Sequence, residues 1–324
     1  MLDEIEAAYH RIKHVINKTP VLTSRTLNKE LEMEIFFKCE NFQRVGAFKC
    51  RGAMNALSQL TVEEQKRGVI THSSGNHAQA VALASREFSI NATIVMPQNA
   101  PGVKKSATQG YGAKIVECGN DPLDRREKVT DLIQKHNFTL LHPYNDYRII
   151  YGAGTAGYEL IQEVGDLNLV VTPVGGGGLL SGTSIAVKGV NRDTLVIGVE
   201  PLNADDAYRS FQDGTKIFPS INPNTIADGL RTSLGDITFK VIKQNVDAIV
   251  TVTEESIIEA MRFLWERMKI IVEPSGAVPL AGLFRLNESS QDWNLKRKRV
   301  GVVLSGGNID LTDFFTLLKK KYVS

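Results

Sequence analysis

The chemistry readable in this chain begins with Lys49, set in Phe48-Lys49-Cys50-Arg51-Gly52-Ala53 behind Val45-Gly46-Ala47. It continues with four consecutive glycines, Gly175, Gly176, Gly177 and Gly178, between the apolar run 169–174 and Leu179. A lysine amine condenses with an aldehyde. A glycine run after a strand lets backbone N–H groups surround a phosphate. Taken singly, a lysine is usually a solvated surface side chain, and a glycine run is usually a turn. Together they ask for one ligand bearing an aldehyde and a phosphate, a description that pyridoxal 5′-phosphate (PLP) meets.

Two further stretches have the same character. Thr71-His72-Ser73-Ser74-Gly75-Asn76-His77 follows the strand-like 68–70, and Leu304-Ser305-Gly306-Gly307-Asn308 follows the strand-like 299–303. Each places hydroxyl, amide and glycine residues just past a strand, where open α/β sheets bind ligands.

The elements that must hold these residues follow from periodicity. Ile5, Ala8, Ile12, Val15 and Ile16 recur at helical spacing and predict a helix over 3–17. A strand over 35–38 leads to the Lys49 loop, which opens a helix through 53–60. From Gly68 onward, strands and helices alternate, with helices predicted over 155–164, 180–190 and 254–268. Alternation of this kind implies parallel pairing and an α/β fold. Gly152-Ala153-Gly154-Thr155-Ala156-Gly157 fits the G-x-G-x-x-G dinucleotide fingerprint. The next strand lacks the acidic residue that would hold a ribose, so the glycines read as close helix packing and a nicotinamide-linked oxidoreductase is disfavoured.

Bulk properties narrow the class. The 324 residues suit two lobes sharing one interface. With 42% hydrophobic and 23% charged residues, the composition is that of a globular enzyme. A net charge of +2 gives no electrostatic case for nucleic acid or an anionic membrane. The amphipathic start, Met1-Leu2-Asp3-Glu4-Ile5, is unlike a signal peptide, and no apolar run reaches membrane-spanning length. Cys39, Cys50 and Cys118 form neither a metal spacing nor an even set for disulfides, so a reducing cytoplasm is expected.

The sequence resembles the fold-type II PLP enzymes, the tryptophan synthase β group, and within them the serine racemase and serine/threonine dehydratase family. The resemblance runs from Thr19-Pro20-Val21-Leu22 to Leu304-Ser305-Gly306-Gly307-Asn308. It is carried by Phe37-Lys38-Cys39-Glu40-Asn41, Ser73-Ser74-Gly75-Asn76-His77, Thr225-Ile226-Ala227-Asp228-Gly229 and Glu200-Pro201-Leu202-Asn203-Ala204-Asp205-Asp206. It implies two open, twisted, mostly parallel sheets flanked by helices. It also implies a large PLP-binding domain from 1–68 and 147–324, with a small mobile domain over 69–146. The activity it implies is racemisation of serine with α,β-elimination to pyruvate and ammonia. The alternative is a catabolic threonine/serine or 3-hydroxyaspartate dehydratase with little racemisation.

The resemblance assigns roles residue by residue. Lys49 carries the cofactor and is the base on one of its faces, and Ser74 is the acid–base opposite; a plain loop serine is the competing reading. Gly175, Gly176, Gly177, Gly178 and Leu179 hold the phosphate. Asn76 bonds the ring hydroxyl, and Phe48 packs on the ring or is simply a core aromatic. Ser305 meets the ring nitrogen, where a hydroxyl leaves that nitrogen largely neutral and favours elimination. Ser73, Ser74, Asn76 and His77 hold the substrate carboxylate, with Arg126 either reaching it on closure or remaining a solvated helix arginine. Glu200, Asp206 and the Ala204 carbonyl resemble a divalent-cation site for Mg²⁺, Ca²⁺ or Mn²⁺. A homodimer is expected, and ATP is a possible effector: Lys104 and Tyr111 resemble positions for it, while Arg44 departs from the lysine of the mammalian members.

Overall fold

The structure is a computed structural model that describes residues 1–100, 102–289 and 293–322. Its ten strands are β1 (Val21–Leu22), β2 (Glu34–Cys39), β3 (Val69–His72), β4 (Ala92–Pro97), β5 (Lys114–Cys118), β6 (Thr139–Leu140), β7 (Leu169–Pro173), β8 (Leu195–Pro201), β9 (Ala248–Val252) and β10 (Arg299–Leu304). They form two sheets, one ordered β1-β2-β10-β7-β8-β9 and the other β5-β4-β3-β6. Among the described residues, every pairing between these strands is parallel except β1 with β2. The α/β architecture expected from the alternating pattern is therefore the one found.

Both faces of the six-stranded sheet are buried, which explains its unbroken apolar runs. Leu169, Val171, Ile197, Val199, Val300 and Val302 point to the side of the helices Glu254–Glu266 and Pro274–Glu288. The alternate residues Val170, Val196 and Val303 meet Leu160 and Leu179 of the helices Tyr147–Val164 and Gly178–Val190. The four-stranded sheet repeats the scheme, with Val69, Ile94 and Met96 against Ala78 and Val81 of the helix Asn76–Glu87. That helix also packs on Ala53, Met54 and Leu57 of the helix Lys49–Leu57, so the Lys49 helix is the seam between the sheets.

The glycines of the apparent dinucleotide fingerprint lie inside the helix Tyr147–Val164, not at a strand-to-helix turn. A Cβ on Gly154 would stand 2.7 Å from Gly182 O, and one on Gly152 would stand 2.6 Å from Arg51 O. They let three helices approach closely, as the missing acidic partner implied.

Several boundaries moved for tertiary reasons. The first helix is Leu2–Ile12 instead of 3–17, because Asn17 is tied to the Gln43 side chain by two hydrogen bonds that redirect the chain. Lys49 itself opens its helix, with no intervening loop. The helix predicted over 155–164 starts at Tyr147, where Asp146 caps it by accepting from Arg148 N at 2.8 Å. The buried helix Pro274–Glu288 was hidden from periodicity by Pro279, Gly276 and Gly282 and by apolar residues on all its sides.

A closed group of charges joins these layers. Arg51 donates to Glu40 at 2.7 and 2.9 Å and to Glu159 at 2.9 and 2.8 Å. Lys38 Nζ meets Glu159 at 2.7 Å and Thr19 O at 2.7 Å. All four charged side chains are buried. Burial disfavours the Arg51 charge, but Glu40 and Glu159 outweigh it and raise its pKa. Replacing Glu159 with alanine leaves Lys38 and one edge of Arg51 without counter-charge away from water. We expect a loss of about 3–5 kcal/mol and a fall in melting temperature on the order of 10 °C. An unchanged thermal melt would show the network to be dispensable.

Candidate active site

Three strand ends converge on one cavity of ≈ 240 Å³, a size for small molecules. β3 leads into Ser73, Ser74 and Asn76; β7 leads into the 175–178 glycines; β10 leads into Ser305. Strand order in the larger sheet reverses between β7 and β10, the crevice where doubly wound sheets bind ligands.

Lys49 reaches this cavity from the first turn of its helix, and Phe48 N holds that turn by donating to Ser305 O at 3.0 Å. Its Nζ donates to Pro143 O at 2.9 Å and stands 5.1 Å from the centre of the Phe48 ring. Burial lowers the amine to about 8, with no carboxylate among the causes. About a tenth of it is thus the nucleophilic free base at pH 7, far more than for an ordinary lysine. Phe48 faces the cavity and also packs against the core.

The glycine loop lines the same cavity. Gly177 has φ 87°, the left-handed region, and opens the helix Gly178–Val190. A side chain on Gly176 would enter the ring of Tyr144, whose hydroxyl is paired with Thr232 at 3.1 Å. Backbone without side chains, capped by the unpaired N–H groups of a helix start, is a cradle that fits a phosphate.

In the third loop Ser74 faces the cavity and its hydroxyl bonds no other described residue. Ser73 Oγ accepts from Gly75 N at 3.2 Å. Asn76 is engaged at both ends of its amide, donating to Glu273 Oε1 at 2.8 Å and accepting from Asn308 at 3.0 Å. His77 lines the cavity, but its imidazole is turned to Thr71 Oγ1 at 3.1 Å. Leu179 and Ser305 also line the wall.

Arg126 does not line the cavity; it is exposed, and its neighbour Arg125 lines the wall instead. Adjacent helix positions differ by about 100° in direction, and the sequence offered no way to choose between two consecutive arginines. Arg125 Nε is buried, and its guanidinium has no hydrogen-bond or salt-bridge partner among the described residues. Glu273 also escaped notice, since Glu-Pro before a helix reads as a surface start. It is 4% exposed and lines the cavity, and burial, reinforced by Asp228, raises its carboxyl to about 8. Burial likewise pushes His72 and His142 down to about 4, leaving neutral imidazoles. Lys104 pairs with Asp228 at 2.7 Å at the cavity wall, whereas Arg44 and Tyr111 do not line it.

Glu200, Ala204 and Asp206 lie outside the cavity lining. Glu200 is the penultimate residue of β8 and accepts from Ala207 N at 3.1 Å and Tyr208 N at 2.8 Å. Both Asp206 oxygens are buried without a well-formed hydrogen bond, the Ser220 hydroxyl being the side-chain donor that favours their charge. Burial first, and Asp206 second, raise Glu200 well above the usual carboxylate range, while burial lifts Asp206 to about 6. Among the described residues no three His, Cys, Asp or Glu side chains gather as a metal cluster. An ion here would rest on two carboxylates and a carbonyl, with water completing its shell.

Glu273 generates a pH prediction for the protein freed of cofactor. Its folded pKa lies above the unfolded one, so its stabilisation is complete at low pH and is lost as pH rises toward 8. Relative to Glu273→Gln, wild type should lose about 2 kcal/mol between pH 6 and pH 8. Urea unfolding at both pH values measures this, and parallel behaviour of the two proteins would assign Glu273 an ordinary pKa.

The comparisons with known proteins agree with this geometry. The family model described as pyridoxal-phosphate dependent enzyme matches residues 12–306. The chain is 46% identical to a serine racemase of Dictyostelium discoideum, covering 98% of this chain and 97% of that one. It is 47% identical to an L-threo-3-hydroxyaspartate ammonia-lyase of Saccharomyces cerevisiae, covering 97% and 95%. The crystal structure of serine racemase from Dictyostelium discoideum superposes with a TM-score of 0.91 at 46% identity, over 96% of this chain and 99% of that one. With a lysine, a glycine cradle and three strand ends meeting at one cavity, and with relatives that are racemases and ammonia-lyases, the chain belongs to the pyridoxal-phosphate dependent enzyme family.

Proposed function

We propose that this protein is a cytoplasmic, homodimeric serine racemase that also eliminates water from serine to give pyruvate and ammonia. The observation that carries the reading is that Lys49, from the helix between the sheets, and the unbonded Ser74 hydroxyl, from the loop after β3, enter one cavity. Inverting a stereocentre requires one proton-transfer group on each side of the α-carbon, and this pair supplies two.

Bound PLP would supply an electron-accepting ring that acidifies the α-proton of an attached amino acid. The residues present fit it: Lys49 for the aldehyde carbon, the glycine loop and Leu179 for the phosphate, Asn76 for the ring hydroxyl, Ser305 for the ring nitrogen. The low pKa of Lys49 makes its amine competent to take a proton near neutral pH. Ser73 and Ser74, with the backbone of Asn76 and His77, form the pocket for the substrate carboxylate. The 69–146 unit, which carries that loop, serves as the small domain that closes over the substrate.

A second reading, elimination from 3-hydroxyaspartate, is favoured by Arg125. A partnerless guanidinium in the cavity wall is suited to a second substrate carboxylate. Comparing kcat/KM for L-serine and L-threo-3-hydroxyaspartate in wild type and Arg125→Ala decides between the readings. Selective loss with the diacid favours the second.

A divalent cation, Mg²⁺ or Ca²⁺ or Mn²⁺, belongs to the proposal at Glu200, Asp206 and the Ala204 carbonyl. The buried Asp206 carboxylate and its raising effect on the buried Glu200 support it. A chelator should lower thermal stability, added Mg²⁺ or Ca²⁺ should restore it, and Glu200→Ala should abolish the response. Indifference to chelation would argue against the ion.

Ser74→Ala separates the two activities. Elimination from L-serine needs Lys49 on one face only and should remain measurable. Racemisation and D-serine elimination need the opposite face and should fall by on the order of 10²–10⁴-fold. Chiral chromatography with a pyruvate assay reads both; a common loss factor would make Ser74 a substrate-positioning residue.

A further inference from the structure

The turn that delivers Lys49 holds a conformation its sequence resists. Val45 has φ 56° and ψ 15°, in the left-handed region, where a β-branched side chain crowds the backbone. Gly46 follows at φ 67°, a residue suited to such a turn. Sparsely populated conformations persist only where surroundings over-determine them, and they gather at functional sites.

The end of β10 supplies those surroundings. Gly307 N donates to Gly46 O at 2.9 Å and Phe48 N donates to Ser305 O at 3.0 Å. The side chain in this stitching is Asn308, whose Nδ2 donates to Val45 O at 2.6 Å and to Asn76 Oδ1 at 3.0 Å. Val45 O can only accept, so that edge of the Asn308 amide is its nitrogen. The Asn76 atom facing it is then oxygen, which turns Asn76 Nδ2 onto Glu273. Asn308 itself does not line the cavity.

We propose that Asn308 is a positioning residue for Lys49: its amide clamps the strained Val45 turn to the loop bearing Ser74 and Asn76. It thereby sets the amine against the opposite wall of the cavity. The inference rests on Lys49 being the reactive amine.

In the cofactor-loaded enzyme, Asn308→Ala and Asn308→Asp, which loses both donors, should each lower kcat for L-serine elimination by roughly 10²-fold. KM should change little. Adding Val45→Gly to Asn308→Ala should restore most of kcat, because glycine adopts this φ without strain. In cofactor-free Asn308→Ala, amide exchange at 46–48 should accelerate while exchange in the helix Gly178–Val190 stays as in wild type. The proposal is overturned by wild-type kcat in Asn308→Ala, by faster exchange throughout the chain, or by failure of Val45→Gly to rescue. Elimination surviving in Lys49→Ala would instead overturn the role of Lys49 itself.

Discussion

The buried contact of Arg51 with Glu40 and Glu159, completed by Lys38, is the constraint on which the site depends. Its members come from β2, the turn after it, the Lys49 helix and the helix Tyr147–Val164. Each charge is out of water, so each is tolerable only while its partners keep their places. A guanidinium that meets two carboxylates, each through two N–H groups, also has little angular freedom. Lys49 lies two residues before Arg51 in the same helix, so the orientation of the amine is inherited from this network. The close approaches at Gly152 and Gly154 act in the same direction, letting neighbouring helices come near enough to enclose it.

The cavity has the opposite electrostatic character. Burial eases the Lys49 amine toward deprotonation, keeps the Glu273 carboxyl protonated below about pH 8, and leaves His72 and His142 uncharged. Lys104 and Asp228 cancel each other. Arg125 and Arg231 are cations in the wall without a salt-bridge partner among the described residues, Arg231 being held by the Thr225 carbonyl. A site of this kind keeps its amine available as a base and reserves its net positive charge for an incoming anion. The charged quartet holds the frame, while desolvation tunes the chemistry.

Two sheets meet at the Lys49 helix, and this explains how residues distant in sequence share one small volume. The helix Asn76–Glu87 of the smaller sheet packs on the Lys49 helix, bringing the Ser73–Ser74 loop to the seam. The end of β10 then stitches to the Lys49 turn through backbone bonds and Asn308. Position of the amine, direction of the Asn76 amide and placement of Glu273 are consequently linked by one chain of hydrogen bonds.

What was legible in the sequence was what depends on local pattern. Alternating strands and helices implied parallel sheets, and small polar residues just past strands marked where a ligand would bind. Lys49 and the glycine run stood out by residue type, the family resemblance assigned roles to Ser74, Asn76 and Ser305, and all of them line one cavity. Folding decided what pattern does not encode. Arg125, not Arg126, faces the cavity because helix rotation is set by packing, and two adjacent arginines look alike in one dimension. Glu273 became a cavity acid because a helix without amphipathic periodicity buried its start. Val45 took a left-handed turn because bonds from residues more than 200 positions away hold it there. Spacing constrains neighbours along the chain, but desolvation and long-range hydrogen bonds arise only once distant segments are packed together.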